Sequence, residues 1–352
     1  MSILDSSEKL IHHYDRLSNI FTKGHSTPVH ITVGLTNYCN HKCPWCYIDF
    51  IRDTHITRIN ADISKMMDAL TDAKNMGLKA ITIVGDGEPT LHPEFTEFLY
   101  KVHELGLDIG LFTNGGYANS SINQAIVDCL TFVRFSVDAG TAETHRKLHG
   151  ANDFDMVNNN IREVVRMKKG SPTVGVQFAF NKDNAAEVLI AAKLYKDAGV
   201  DYIAYKPVYN NDLNRDFFSE QLPAEKVREL LENAKRTETE KFKVLWKDWQ
   251  LDSLIYKQEE ERSYKVCRAI WLSPYIDEDG NVEFCGNLKG RGFSIGNIYQ
   301  TRFSEIWRGQ QHLQKLQKID LKKCPPGCRL HGLNIKLDAI AGPDKEDHIN
   351  FI

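Results

Sequence analysis

The sequence predicts an α/β fold in which a curved, partial (β/α)6 barrel carries a small C-terminal cysteine-rich domain. Three observations lead there. Six short β-rich runs alternate with amphipathic helical stretches between residues 28 and 210, the pattern of βα units built around a parallel sheet. Six units are too few to close an eight-fold barrel. Beyond residue 263 the alternation stops, and short β-like pieces, Gly-rich turns and four cysteines take over.

Each element has its own signal. Residues 5–20 set Leu10, Ile11, Tyr14 and Leu17 at helical spacing. The runs VHITVGL (29–35), KAITIVG (79–85), LDIGLF (107–112), FVRFSV (132–137), VGVQFAF (174–180) and YIAYKP (202–207) read as buried strands. Helical patterns fill the intervals at 61–76, 94–105, 119–130, 154–168 and 184–198. The chain therefore divides into an N-terminal helical extension over 1–27, the barrel over 28–210, a charged helical linker over 211–263 and a C-terminal domain over 264–352. The last contains β-like pieces around Trp271–Ile276 and Val282–Cys285 and a helix at 303–317. Its apolar content looks too small for an ordinary core, which suits a domain stapled by metal.

Composition excludes several classes. With 352 residues, 42% of them hydrophobic, the chain can bury a sizeable core. Lys+Arg 44 against Asp+Glu 47 gives a net charge of −3, so no global positive field attracts nucleic acid. No apolar run approaches the roughly eighteen residues that cross a bilayer, and the first residues, MSILDSSEKLIHHYD, lack a secretory apolar segment. The expectation is a cytoplasmic protein without nucleic-acid or membrane partners. Eight cysteines in that compartment are not read as disulfides. Their grouping (Cys39, Cys43 and Cys46; Cys267, Cys285, Cys324 and Cys328; Cys129 by itself) points to two metal sites.

Cys39-x3-Cys43-x2-Cys46 sets three thiolates on a short loop after the first strand. Zinc takes four ligands, and His41 is the only local candidate for the fourth; iron–sulfur clusters are the other thiolate chemistry. With Trp45 before the last cysteine, GDGEP (85–89) after the second strand, TNG (113–115) and SVD (136–138) after the third and fourth, and ETHRKLHG (143–150), residues 28–210 resemble the radical S-adenosylmethionine (SAM) superfamily. Asp86 and His149 depart from the common pattern, where a second glycine and an arginine are usual. The resemblance implies a [4Fe-4S] cluster on Cys39, Cys43 and Cys46, with one open iron that chelates SAM. It implies SAM contacts from Gly85, Asp86, Gly87, Glu88, Asn114, Ser136 and Asp138, with Trp45 and Tyr47 beside the cluster. SAM cleavage would yield a 5′-deoxyadenosyl radical that abstracts a substrate hydrogen atom, with flavodoxin or ferredoxin as electron donor.

Cys267-x12-Gly280-x4-Cys285, followed by GFSIGNIYQTRFSEIW (292–307) and CPPGC, resembles the SPASM and twitch extensions of radical SAM enzymes. Four cysteines in place of a full SPASM complement resemble the twitch type. That likeness implies one auxiliary [4Fe-4S] cluster on Cys267, Cys285, Cys324 and Cys328; a structural zinc is the alternative. Full thiolate ligation leaves no open iron, which implies electron transfer and therefore an oxidoreductase. The expected reaction is dehydrogenation of a hydroxylated, sugar- or cyclitol-like small molecule.

Lys206 is the candidate base for a ketyl-forming hydroxyl, with Gln177 and Tyr209 nearby on the expected catalytic rim. Redox-neutral epimerisation is the alternative, but Cys129, the one unassigned thiol, is expected at the barrel bottom as a core residue. Maturation of a ribosomal peptide is a third reading. Only 38 residues precede Cys39, fewer than the roughly eighty of a peptide-recognition domain.

Overall fold

The computed structural model describes residues 7–46, 57–208, 222–254, 262–325 and 327–342. Tyr47 and Tyr209 lie outside them. A short helix at Ser7–His13 leads into α1 (Tyr14–Lys23), which Gly24 ends in a left-handed conformation with φ of 74°. There follow β1 (His30–Val33), α2 (Ile63–Asn75), β2 (Ala80–Ile83), α3 (Phe95–Glu104), β3 (Asp108–Thr113) and α4 (Ser121–Cys129). Next come β4 (Phe132–Ser136), α5 (Ala142–His149), α6 (Phe154–Met167), β5 (Thr173–Phe180), α7 (Val188–Ala198) and β6 (Tyr202–Pro207). All six expected strands are present, parallel and in sequence order.

Alternation along these strands sets the two faces. Ile31, Val33, Ile81, Ile83, Ile109, Leu111, Val133, Phe135, Val176 and Ile203 are buried in the main hydrophobic core with the helices. The intervening residues face the barrel interior, which is far more polar. There His30 Nε2 meets Thr82 Oγ1 at 2.7 Å, and Arg134 Nε donates to the Tyr202 hydroxyl at 2.9 Å. Burial pushes the His30 pKa down to about 3, so its ring is neutral. Two glycines make room for the aromatic floor of this interior. A Cβ at Gly110 would lie 2.3 Å from the Phe132 ring, and one at Gly175 would lie 2.1 Å from the Tyr202 ring.

Two features differ from the sequence expectation. The segment read as a helical linker contains α8 (Ala224–Lys235) and α9 (Asp248–Leu254), but between them β7 (Lys243–Leu245) adds a seventh parallel strand beside β6. Three residues, the first of them Lys243, are too short a run to read as a strand. The C-terminal strands β8 (Tyr275–Ile276), β9 (Asn281–Glu283) and β10 (Gly296–Asn297) do not form a sheet apart. β8 pairs in parallel with β1, and the described strands make one sheet in the order β10-β9-β8-β1-β2-β3-β4-β5-β6-β7.

The C-terminal region also has more core than its composition suggested, because rings supply it. α10 (Phe303–Arg308) and α11 (Gln311–Leu316) replace the single helix expected at 303–317, separated around Gly309. Trp271 stacks on His312 at 4.2 Å, and Trp307 meets His312 edge-on at 4.3 Å. The Trp307 indole donates to Ser26 O at 2.9 Å, tying this cluster to the N-terminal segment. The last described helix, α12 (His331–Ala341), packs beside it.

The aromatic floor is testable. Gly175→Ala is expected to destabilise the fold by about 1–3 kcal/mol through overpacking against Tyr202. A thermal midpoint indistinguishable from the wild type would mean that the ring is not wedged there.

Candidate active site

At the C-terminal rim of the sheet, the loop after β1 bears Cys39, Cys43 and Cys46, and every neighbouring loop holds it down. Thr36 donates to Ile59 O at 2.9 Å, and Asn37 Oδ1 accepts from Ile59 N at 2.8 Å. Glu88 N donates to Tyr38 O at 2.8 Å, and a Cβ at Gly87 would sit 2.1 Å from that oxygen. The second glycine of GDGEP is therefore required for the two backbones to approach. Glu88 is buried, and its carboxylate is fully engaged: Oε1 accepts from Thr90 N, Thr90 Oγ1 and Thr113 Oγ1, and Oε2 from Asn114 N at 2.7 Å. It fastens the loop after β2 to the loop after β3.

Asn114 uses its side chain in the same way, donating to Asn40 Oδ1 at 2.8 Å and accepting from Gly116 N at 2.8 Å, with Cys39 Sγ at 3.9 Å. Trp45 packs with Leu148, Ala179, Val208 and Cys43, its ring edge-on to His149 at 6.1 Å. Asp138 has the left-handed φ of 54°. Its Oδ1 accepts from Ala179 N at 2.5 Å, and its carbonyl accepts from Asn184 at 2.8 Å, so it fixes the turn after β4. Ser136 and Gln177 are register partners on the interior face of β4 and β5. Gly85 lies against β1, where a Cβ would approach Gly34 Cα to 3.1 Å. Asp86 turns toward the C-terminal region.

The sequence reading missed what lies beneath the cysteine loop. His41 Nε2 meets Asp153 Oδ2 at 2.8 Å, His145 Nε2 meets Asp153 Oδ1 at 2.9 Å, and His41 and His149 face each other through Nδ1 at 3.1 Å. His149 Nδ1 is also 3.3 Å from Cys43 Sγ, and its Nε2 donates to Val137 O at 2.7 Å. Burial opposes ionisation of Asp153, but the bonds from His145 and His41 outweigh it and hold its carboxyl well below the usual range. The rings of His41 and His149 thus tie Cys43 to Asp153 and to the backbone after β4. His41, His145 and Asp153 are close enough to share a metal ion, but they are already paired with one another. The sequence signal was the i, i+4 spacing of His145 and His149 on α5.

The second cysteine group also converges. Burial, and then the neighbouring thiols, raise the pKa of Cys267 and Cys324 and push that of Cys285 up to about 12. Three thiols that resist ionisation unaided, with Cys328 beside them, would become thiolates when a metal takes the place of their protons, so the donor set fits a four-thiolate site. Asn334 Nδ2 points at Cys267 Sγ at 3.1 Å, and Asn287 Nδ2 at Cys328 Sγ at 3.9 Å. Arg262 donates to the carbonyls of Leu321, Cys324 and Pro325, shaping the CPPGC turn. Cys129 is different: it is buried in the core at the end of α4, and burial pushes its thiol up to about 12.

Lys206, near the end of β6, is half-buried on the interior face and makes no ion pair among the described residues. Desolvation lowers its pKa to about 8, a shift that the Asp138 charge partly opposes and Arg134 reinforces.

Comparison with known proteins agrees with this geometry. Residues 33–201 match the family model of the Radical SAM superfamily, and residues 267–329 match SPASM, an iron-sulfur cluster-binding domain. A probable GTP 3',8-cyclase of Saccharolobus islandicus (strain M.14.25 / Kamchatka #1) is 26% identical over 203 residues, which is 57% of this chain and 64% of that protein. The chain thus spans less than two thirds of the length of that relative. The antilisterial bacteriocin subtilosin biosynthesis protein AlbA of Bacillus subtilis (strain 168) is 26% identical over 87% of this chain and 68% of its own length. Among solved structures, Streptococcus suis SuiB bound to S-adenosylmethionine superposes with a TM-score of 0.69 at 16% identity, covering 96% of this chain and 80% of that one. Native anSMEcpe with bound AdoMet gives 0.59 at 16% identity, over 92% of this chain and 100% of that one. At such identities the superpositions establish the fold. No helix among the described residues is long and apolar enough to cross a membrane.

Metal analysis tests the two cysteine groups. Reconstituted wild type is expected to carry about eight irons and the Cys39→Ala/Cys43→Ala/Cys46→Ala variant about four, the counts for two and one four-iron clusters. Four irons falling to none would remove the second cluster.

Proposed function

The chain belongs to the radical SAM superfamily and carries a SPASM domain, and from that premise we propose that it oxidises a hydroxylated, sugar- or cyclitol-like small molecule. The observation that supports it is that Cys267, Cys285, Cys324 and Cys328 lie near enough for their charges to act on one another, which suits four thiols for one metal group. A four-iron cluster with four thiolate ligands has no vacant position for substrate, which favours electron transfer over substrate binding. When bound, SAM and the first cluster supply a 5′-deoxyadenosyl radical that removes a substrate hydrogen atom, and the auxiliary cluster supplies an electron acceptor.

The chain's own residues do the rest. Cys39, Cys43 and Cys46 hold the first cluster, on a loop clamped by Glu88, Asn114 and the His41–Asp153 pair. The loop at 85–88 and Ser136 face the SAM side. Lys206 takes the hydroxyl proton from the carbon that has lost its hydrogen atom, so that loss of one hydrogen atom, one proton and one electron leaves a carbonyl. An amine with a pKa of about 8 is a competent base near neutral pH. Oxygen-labile thiolate sites suit a reducing cytoplasm, and flavodoxin or ferredoxin is the proposed electron source.

A second reading, modification of a peptide, is favoured by the AlbA match, which spans both domains. Incubation with dithionite, SAM and C-deuterated aminocyclitols, sugar alcohols or peptides separates the two. Deuterium in 5′-deoxyadenosine from a cyclitol or sugar, with ketone product, supports oxidation of a small molecule; transfer only from peptides sinks it.

Lys206→Met is expected to reduce ketone formation by about 10²–10⁴-fold while 5′-deoxyadenosine is still released. Wild-type ketone formation should rise as pH increases through about 8, where the amine loses its proton, and the variant should lose that limb. An unchanged profile would remove Lys206 from the reaction.

A further inference from the structure

Asp86, the departure within GDGEP, has its partner in the C-terminal domain. Lys289 donates to Asp86 Oδ2, and the Tyr275 hydroxyl donates to Asp86 Oδ1 at 3.3 Å. The same ammonium donates to both carboxylate oxygens of Glu278, at 2.9 and 3.0 Å, and lies 3.5 Å from Asp277 Oδ2. None of Asp86, Asp277, Glu278 and Lys289 is more than 8% exposed. Burial works against the Lys289 charge, but Asp86, Glu278 and Asp277 more than reverse it and hold the ammonium protonated. Burial, reinforced by Asp86, pushes the Glu278 carboxyl up.

The position of this lysine in the chain matters as much as its contacts. It directly follows the single turn Gly286–Leu288, which itself starts at Cys285. On the other side, Gly87 packs on Tyr38, next to Cys39. Contacts therefore run without a gap from an auxiliary-cluster cysteine, through Lys289 and Asp86, to the loop of the first cluster. Both Asp86 oxygens are engaged by the C-terminal region. Without Lys289, Asp86 would lose its charged partner beside two further buried carboxyl groups, and the 85–88 loop would lose its main tie to the C-terminal region.

We infer that Lys289 is a positioning residue for SAM, acting through Asp86 to hold the 85–88 loop in its binding conformation, so that SAM binding depends on the C-terminal domain. Asp86 is then an interdomain anchor, with no direct contact to SAM. The inference rests on the reading of residues 85–88 as the SAM-facing loop.

The test is equilibrium dialysis of SAM against anaerobically reconstituted full-length protein. Lys289→Met is expected to raise the SAM Kd by about tenfold or more, Asp86→Gly to do the same, and the double variant to be no weaker than Lys289→Met alone, as for two members of one pair. A general structural defect would also disturb the second cluster. Its EPR signal, recorded with Cys39, Cys43 and Cys46 replaced by alanine, should be unchanged by Lys289→Met. A Kd within twofold of wild type, losses that multiply in the double variant, or an altered signal would overturn the inference. Should Lys289→Met fail to reconstitute, Asp86→Asn removes the charge from the loop alone and is judged by the same thresholds. If the triple-cysteine variant still binds SAM at the wild-type Kd, the SAM-site reading itself fails. If it loses SAM while Lys289→Met keeps it, only the anchor fails.

Discussion

The parallel pairing of Tyr275–Ile276 with β1 is the constraint on which both candidate sites depend. Thr32 N and Gly34 N donate to Pro274 O and Ile276 O at 2.9 and 2.8 Å. Without these bonds the β1 edge would present unpaired backbone groups. Parallel strands end on the same side, and here three neighbours end together. β8 runs into Asp277 and Glu278, β1 into the cysteine loop, and β2 into Gly85 and Asp86. The register Thr32↔Tyr275 and Thr32↔Thr82 brings those three ends to one level, so the contact between Asp86 and the C-terminal acids follows from strand direction.

The two thiolate sites have different polar neighbours. Beneath Cys43 the imidazoles of His41 and His149, with Asp153 behind them, stand beside sulfur. Around Cys267 and Cys328 the N–H groups come from neutral amides, Asn334 and Asn287. At the second group, thiols pushed up by burial gain their charge only as metal displaces protons. The seam between them sets three carboxylates around one lysine. Such a cluster is expensive to bury unless each member is paired, and the described bonds pair them.

What could be read from the chain follows from how local each signal is. The six strands were legible because each run is rich in aliphatic and aromatic residues between helical patterns, and the cysteine loop and GDGEP because their spacing is itself the chemistry. β7 was hidden: Lys243–Leu245 is too short to alternate, and it is a strand only because β6 offers it an edge. The continuation of the sheet through β8 joins residues far apart in sequence, and no local pattern encodes that. Lys289 in GNLKG reads as a surface turn lysine until Asp86 is placed beside it. The C-terminal core was underestimated because it is built from Trp271, Phe284, Phe303 and Trp307, few residues with much buried area each.

Where the auxiliary site stands relative to the barrel interior bears on the choice of reaction. Arg329 directly follows Cys328, and its guanidinium lies 3.5 Å from Thr32 Oγ1, a residue on the interior face of β1. The side chain that follows Cys328 thus reaches the interior from the β1 side, while Cys39, Cys43 and Cys46 stand above it at the rim. On the proposed function, a substrate held in that interior would lose a hydrogen atom on the side of Cys39, Cys43 and Cys46. Returning a hydrogen atom would instead require a donor facing the interior, a thiol such as Cys324 or Cys328 released from the cluster, or a tyrosine. Cys129, at the end of the helix that precedes β4, is buried in the core at the opposite end of the strands from the cysteine loop. On the proposed assignment of the other seven cysteines to clusters, no described thiol is left over at the cysteine-loop end of the strands.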